Sequence, residues 1–112
     1  MSSPQPWPPR AEIERGLATA RKVYARAVEI GQMAEADRIS NLALMRLLLG
    51  SYHAKAFTRQ EQAALNRAAL MGYILTCSPY GVYRLTEAGH RAVLEMMQAA
   101  AEREQYTGEA KR

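Results

Sequence analysis

The sequence predicts a mainly α-helical domain with one small β-hairpin, an α+β fold that begins with a long helix. Apolar residues recur at helical spacing in the first third of the chain, which indicates an amphipathic helix. Residues 73–85 instead combine two short runs rich in β-branched and aromatic residues around a Pro-Gly turn, as a hairpin does. With 112 residues and 48% hydrophobic content, the chain can bury one modest core.

The first helix is predicted over residues 11–35, where Ala, Arg and Glu are frequent and proline is absent. Its apolar stripe consists of Ile13, Leu17, Ala20, Tyr24 and Val28. The helix is long for so small a domain. We expect it either to pack on the rest of the chain or to pair with a second copy.

The segment before this helix is predicted to be a disordered, proline-rich tail over residues 1–10. Its prolines fix the backbone torsion φ and remove hydrogen-bond donors, which favours an extended chain. An alternative is a tail that docks on a partner protein, with Trp7 as its anchor.

A second helix is predicted over residues 38–50, apolar around most of its circumference and therefore central to the core. Asp37 is its expected N-cap, and Gly50 should end it. Residues 51–57 are predicted to be a linker, with His53 on the surface.

A third helix is predicted over residues 58–71. Thr58 and Glu61 form a capping box, in which each side chain accepts from the free backbone N–H of the other residue. Leu65 and Ala68 should lie on its buried face.

The hairpin over residues 73–85 has a return strand whose side chains alternate between faces. Tyr83 and Leu85 are expected on one face, with Val82 and Arg84 on the other. Residues 78–81 suit a type I turn, with proline at the second position and glycine at the fourth.

The last helix is predicted over residues 87–104, with Thr86 as its N-cap. Residues 106–112 should form a frayed tail. The folded part would then be a single domain over residues 11–105.

Positive charge is concentrated in the middle of the chain. Residues 1–37 carry five basic and five acidic side chains, 5 − 5 = 0, and residues 95–112 carry three and four, 3 − 4 = −1. Residues 38–94 carry seven basic and two acidic side chains, 7 − 2 = +5. Binding of a polyanion would require such a concentration of positive charge, although many small basic domains bind no nucleic acid.

Other function classes lack support. Cys77 is the single cysteine and has no metal-ligand spacing around it, so neither a disulfide nor a metal site is expected. The longest apolar run, residues 42–49, contains Arg46 and is too short to cross a membrane. The first residues do not form a secretory leader, which favours a cytoplasmic protein. No nucleophile with a positioned base is evident, so we expect neither enzyme activity nor a cofactor.

Candidate contact residues lie on the third helix and on the hairpin. Arg59, Gln62 and Asn66 share one helix face with Arg67 beside them, and their side chains carry the donors and acceptors that read base edges in a major groove. Tyr80 at the hairpin tip and Arg84 on its return strand could contact the phosphate backbone. The alternative for the helix residues is an ordinary solvated face, and the alternative for the hairpin residues is a structural turn with an exposed aromatic side chain.

The segment over residues 38–100 resembles the second half of winged-helix transcription regulators. The matching residues are Ala68, Leu70, Gly72, Tyr73 and Ile74, then Tyr83, Leu85, Thr86 and Gly89. The resemblance implies that the helix before the hairpin enters the major groove and that the hairpin is a wing touching the backbone or minor groove. It also implies that the terminal helices form a homodimer.

One departure from the family concerns helix number, because the family places two helices between its first helix and the wing. Here only 72 − 50 = 22 residues separate Gly50 from Gly72, enough for one helix and a loop. Either residues 38–49 serve as the supporting helix across an unusually long turn, or the module is abbreviated, and two functions stay open. The first is a small DNA-binding regulator, dimeric, with double-stranded DNA as its partner. The second is a winged-helix-like protein-interaction module or inhibitor, for example of a phage or mobile element, that binds no DNA.

Overall fold

The computed structural model describes residues 8–77 and 81–110. Within them, four α-helices surround a small antiparallel sheet, which confirms the predicted mainly α, α+β fold class. The helices are α1 (Arg10–Glu29), α2 (Glu35–Arg46), α3 (Arg59–Leu70) and α4 (Glu87–Ala110). The strands are β1 (Tyr52–His53), β2 (Ile74–Cys77) and β3 (Val82–Leu85), and Leu47–Leu49 and Ala54–Ala56 form 3₁₀ turns.

Helix α1 packs along α4 and α2 within the same chain. Ile13, Leu17, Ala20 and Tyr24 are buried as predicted, and Ala27 is buried after them while Val28 is only half-buried. The helix ends at Glu29 rather than near residue 35. Gly31, with φ of 76°, allows the chain to leave, and the Gln32 N–H donates to the Ala27 carbonyl at 2.7 Å in a Schellman-type end.

Helix α2 begins earlier than predicted. Ala34 is its N-cap, so Asp37 lies inside the first turn and the prediction that it caps the helix is wrong. An acidic residue there still interacts favourably with the positive end of the helix dipole. At the other end the α-helix stops at Arg46, and the next three residues tighten into a 3₁₀ turn before Gly50.

The sheet has three strands in the order β1-β3-β2, one more than the predicted hairpin. The extra strand, β1, lies in the segment predicted to be a linker and pairs Tyr52 with Tyr83. On β3, Tyr83 and Leu85 are buried and Arg84 is exposed, as the alternation predicted. The predicted turn residues 78–80, including Tyr80, lie outside the described residues.

Two caps connect the helices to the sheet. The predicted capping box of α3 is present, with the Thr58 N–H donating to Glu61 Oε1 at 2.8 Å and the Glu61 N–H donating to Thr58 Oγ1 at 3.1 Å. At α4, the Thr86 hydroxyl oxygen accepts from the Gly89 N–H at 3.1 Å, and the hydroxyl donates to the Gly72 carbonyl at 2.7 Å.

Helix α4 continues to Ala110, so the prediction of a tail from residue 106 is wrong for the first five of its residues. No proline interrupts residues 106–110, and Glu109 and Ala110 are good helix formers, whereas Thr107 and Gly108 are poor ones. In the described part of the chain, no helix combines the length and apolar character needed to cross a bilayer.

Candidate nucleic-acid interface

Helix α3 is amphipathic and presents a polar, basic face to solvent. Its buried side consists of Ala64, Leu65 and Ala68. On the opposite side, Arg59, Asn66 and Arg67 are exposed, with the small side chain of Ala63 between them. This outer face could approach a groove closely, because only short or extended polar side chains project from it.

The basic residues of the +5 segment differ in whether they form ion pairs. Three of its seven cations form ion pairs: Arg38 with Glu35, Arg46 with Glu61 and Arg91 with Glu87. Lys55, Arg59, Arg67 and Arg84 take part in none of the ion pairs formed by the described residues. These four exposed side chains account for four of the five excess positive charges, and Arg38, whose partner Glu35 lies outside the segment, accounts for the fifth.

The side-chain amide of Gln62 is not free to contact bases, because it is hydrogen-bonded within the protein. It is half-buried, and its amide nitrogen donates to the Ala54 carbonyl at 2.8 Å and to the Phe57 carbonyl at 3.0 Å. Buried backbone carbonyls need such partners, and the 3₁₀ turn supplies too few of its own. Contrary to the prediction, the donors of Gln62 are thus occupied in holding the 3₁₀ turn Ala54–Ala56 against α3.

Arg46 holds the same turn from the side of α2. Its guanidinium lies 4.5 Å from the centre of the Phe57 ring, pairs with Glu61 at 3.4 Å and donates to the Ala56 carbonyl at 3.2 Å. An arginine that stacks, pairs and donates at once is well suited to such a junction. Arg46 therefore links α2, the 3₁₀ turn and α3 into one unit.

The 3₁₀ turn also contacts the hairpin. The Ala54 N–H donates to the Gly81 carbonyl at 2.6 Å, so the residue beside it, Lys55, is held near the hairpin tip. Lys55 is an interface candidate that the sequence did not reveal. Its position depends on the pairing of β1 with β3, which joins residues far apart in the chain.

The two faces of β3 separate Arg84 from α3. The Tyr83 hydroxyl donates to Asn66 Oδ1 on α3 at 3.2 Å, so the face of the sheet that carries Tyr83 is the one turned toward α3. Arg84 points to the other face. On that face, burial is the main cause that lowers the pKa of His90, and the positive charge of Arg84 lowers it further. Arg59, Asn66 and Arg67 thus lie on α3, Lys55 lies on the turn that Gln62 holds against α3, and Arg84 lies on the other face of β3.

No ligand cluster suggests a metal site in the described part of the chain, since no three His, Cys, Asp or Glu side chains converge there. Comparisons with protein-family models, curated proteins and solved structures found no match. The function has to be inferred from the residues and geometry of the chain itself.

Proposed function

We propose that the protein is a small DNA-binding regulatory protein of winged-helix type, in which α3 enters the major groove of double-stranded DNA. The observation that carries this proposal is the outer face of α3. Arg59, Asn66 and Arg67 lie there, exposed, next to a hairpin that is hydrogen-bonded to the same helix. Duplex DNA as partner fits a cytoplasmic protein without catalytic activity.

The order of elements supports the proposal. After α2 come a short strand, α3 and the hairpin, and the strand pairs with the second arm of the hairpin. The second helix expected from the winged-helix resemblance is replaced by the 3₁₀ turn Ala54–Ala56. Because Gln62 and Arg46 fix that turn, α3 keeps a defined orientation to the hairpin despite the abbreviation.

The contacts would divide by chemistry. Lys55, beside the hairpin tip, and Arg59, at the start of α3, suit phosphate oxygens, which position a protein on the duplex. Asn66 and Arg67 lie farther along α3, where side chains can reach base edges. Arg84 and Tyr80 remain proposed wing contacts, although Arg84 would reach DNA only from the other face of the hairpin.

The proposal is tested by the salt dependence of duplex binding. Fluorescence anisotropy with a random-sequence duplex should give a linear fall of log affinity with log salt concentration. Replacing Arg59 and Arg67 together by alanine should weaken binding and reduce the slope by about 1, since each phosphate contact contributes about 0.9 and of these two arginines only Arg59 is assigned to a phosphate.

A matched control is the double alanine variant of Arg10 and Arg91, which removes the same charge from α1 and α4. Both arginines are exposed and paired with a glutamate on their own helix. This variant should keep the slope of the wild type. Equal affinities and slopes for the Arg59/Arg67 variant and the wild type would exclude α3 as the DNA-contacting helix.

We also propose that the DNA-bound form is a homodimer assembled through the terminal helices. The main apolar stripe of α1 is already covered by α4 and α2, which leaves its C-terminal end for a second copy. A groove of about 520 Å³ lies there, lined by α1 and by Arg103 and Glu104 of α4. Ile30 is 55% exposed beside it, and the lining carries both charge signs, as a self-complementary contact requires.

A different observation favours the second candidate, a protein-interaction module. Leu70, Met71 and Leu75 are 90%, 67% and 54% exposed around the junction of α3 and β2. Exposed apolar clusters commonly mark protein contacts. This candidate replaces DNA binding if the wild type binds no duplex and captures a protein from native lysate that a Leu70→Glu, Met71→Glu variant loses. The Arg59/Arg67 variant should then still capture that protein.

A further inference from the structure

Asn66 and Tyr83 connect the outer face of α3 to the hairpin. Tyr83 is 6% exposed, and its ring packs edge-on against Phe57 with 5.8 Å between ring centres. Its hydroxyl donates to Asn66 Oδ1 at 3.2 Å, while Asn66 itself is exposed. A packed, buried tyrosine therefore restrains the amide of a solvent-exposed side chain.

The hydrogen bond decides which end of the amide is offered to a ligand. An asparagine amide has an accepting oxygen at one end and an NH₂ donor at the other. With the oxygen held by Tyr83, both N–H groups of Nδ2 stay available, since the described residues give Asn66 no further hydrogen bond. An unrestrained asparagine would offer either end.

We infer that Asn66 reads DNA as a hydrogen-bond donor and that Tyr83 is the positioning residue that makes it so. The inference rests on the proposed DNA-binding function. Asparagine recognises adenine by donating to N7 and accepting from N6 at the same time. The oxygen needed for the second bond already accepts from Tyr83 and is directed toward the hairpin, so its remaining lone pair is poorly placed for N6. Guanine presents two neighbouring acceptors, N7 and O6, and no donor between them, so it is the base that suits a donor-only amide.

The test begins with duplexes selected by the wild type from a randomised pool. At the base-pair position where the preference depends on Asn66, four duplexes that differ only in that base pair are compared by anisotropy. The wild type should bind more tightly with guanine there than with adenine. Tyr83→Phe keeps the ring and removes the hydroxyl. It should lower the guanine-to-adenine ratio about three- to tenfold, the range expected for one hydrogen bond.

Tyr52→Phe is the matched control. Tyr52 lies opposite Tyr83 in the sheet register, and its ring also packs edge-on against Phe57, at 6.2 Å between ring centres. It makes no hydrogen bond to α3 among the described residues, so its phenylalanine variant should keep the base preference.

A second variant tests the donor directly. Asn66→Asp is on an exposed helix position and keeps an oxygen for Tyr83, but it replaces the NH₂ donor by a carboxylate. It should lose the guanine preference while its thermal unfolding stays like that of the wild type. A guanine preference that survives in Asn66→Asp would overturn the inference.

A measurement without DNA separates the two proposals. In nitrogen-15 NMR spectra of the free protein, the Asn66 side-chain NH₂ signals should shift in Tyr83→Phe and stay in place in Tyr52→Phe. If Tyr83→Phe changes neither these signals nor the base preference, the inference is wrong and DNA binding stands. If the NH₂ signals shift as expected but the wild type binds no duplex, the proposed function fails, and the reading role of Asn66 fails with it.

Discussion

At Gly16 and Gly89 the helices carry no Cβ where a neighbouring segment comes very close. A Cβ on Gly89 would overlap the backbone carbonyl of Tyr73, and one on Gly16 would overlap the terminal methyl group of Met97. The two neighbours differ in mobility, because a methionine side chain can rotate away, whereas the Tyr73 carbonyl is part of the backbone and accepts from the Thr86 N–H at 3.0 Å. Gly89 is therefore required at the contact between α4 and Tyr73, the residue just before β2.

We predict that Gly89→Ala destabilises the protein by about 1–3 kcal/mol, the usual cost of forcing extra volume into a packed site. Gly16→Ala should be near neutral, since movement of Met97 is partly offset by the better helix propensity of alanine, about 1 kcal/mol. Urea unfolding followed by circular dichroism measures both. An equal loss in the two variants would show that the rigidity of the neighbour does not matter.

Among the elements, the 3₁₀ turn Ala54–Ala56 has little intrinsic stability and is held by three neighbouring elements. Three residues make few hydrogen bonds of their own. Gln62 from α3, Arg46 from α2 and the Gly81 carbonyl from the hairpin all bind it. The position of Lys55 and the start of α3 therefore depend on side chains that are not themselves in the outer face.

Gln62→Met is expected to cost about 1–3 kcal/mol of stability, because it removes the side-chain donor of the Phe57 carbonyl and one of the two donors of the Ala54 carbonyl. Gln60→Met, at an exposed position of the same helix, is the control and should change stability little. Thermal unfolding distinguishes the two. Were Gln62→Met as stable as Gln60→Met, the amide of Gln62 would be shown not to hold the turn.

The local elements were largely predictable, and the non-local ones were not. The capping box at Thr58, the stripe of α1 and the alternation of β3 follow from neighbouring residues alone. Strand β1 is only two residues long, so it is specified by its pairing with β3 and by no pattern of its own. The same applies to the candidate site: the exposure of Arg59, Asn66 and Arg67 follows from helix periodicity, whereas the packing of Gln62 and the position of Lys55 depend on the folded chain.

At the scale of the whole molecule, the chain is flat, with extents of 52 × 41 × 23 Å. Helices α1 and α4 run side by side, and a hydrogen bond from Arg103 to Gln32 joins their C-terminal ends. The α1–α4 pair and the outer face of α3 are built from different elements. A dimer through the terminal helices therefore need not cover Arg59 or Arg67.

Ile30→Glu should shift the protein toward monomer in sedimentation at micromolar concentration, because it places a charge in the proposed contact. Leu75→Glu is a close control, since Leu75 is 54% exposed and Ile30 55%. It should sediment like the wild type. A wild type that is monomeric under these conditions, both free and in the presence of duplex DNA, would refute the dimer.

The hydroxyl of Thr86 has a consequence for how the fold opens. By binding both the Gly72 carbonyl and the Gly89 N–H, it ties the end of α3, the entry to β2 and the first turn of α4 to one atom. The Thr86 N–H adds a bond to the Tyr73 carbonyl at 3.0 Å. Segments joined in this way open together in local unfolding. Fraying of α3 at its C-terminal end therefore strains hydrogen bonds that also hold the first turn of α4, so we expect fluctuations of α4 and its partner α1 to be coupled to α3, the helix proposed to contact DNA.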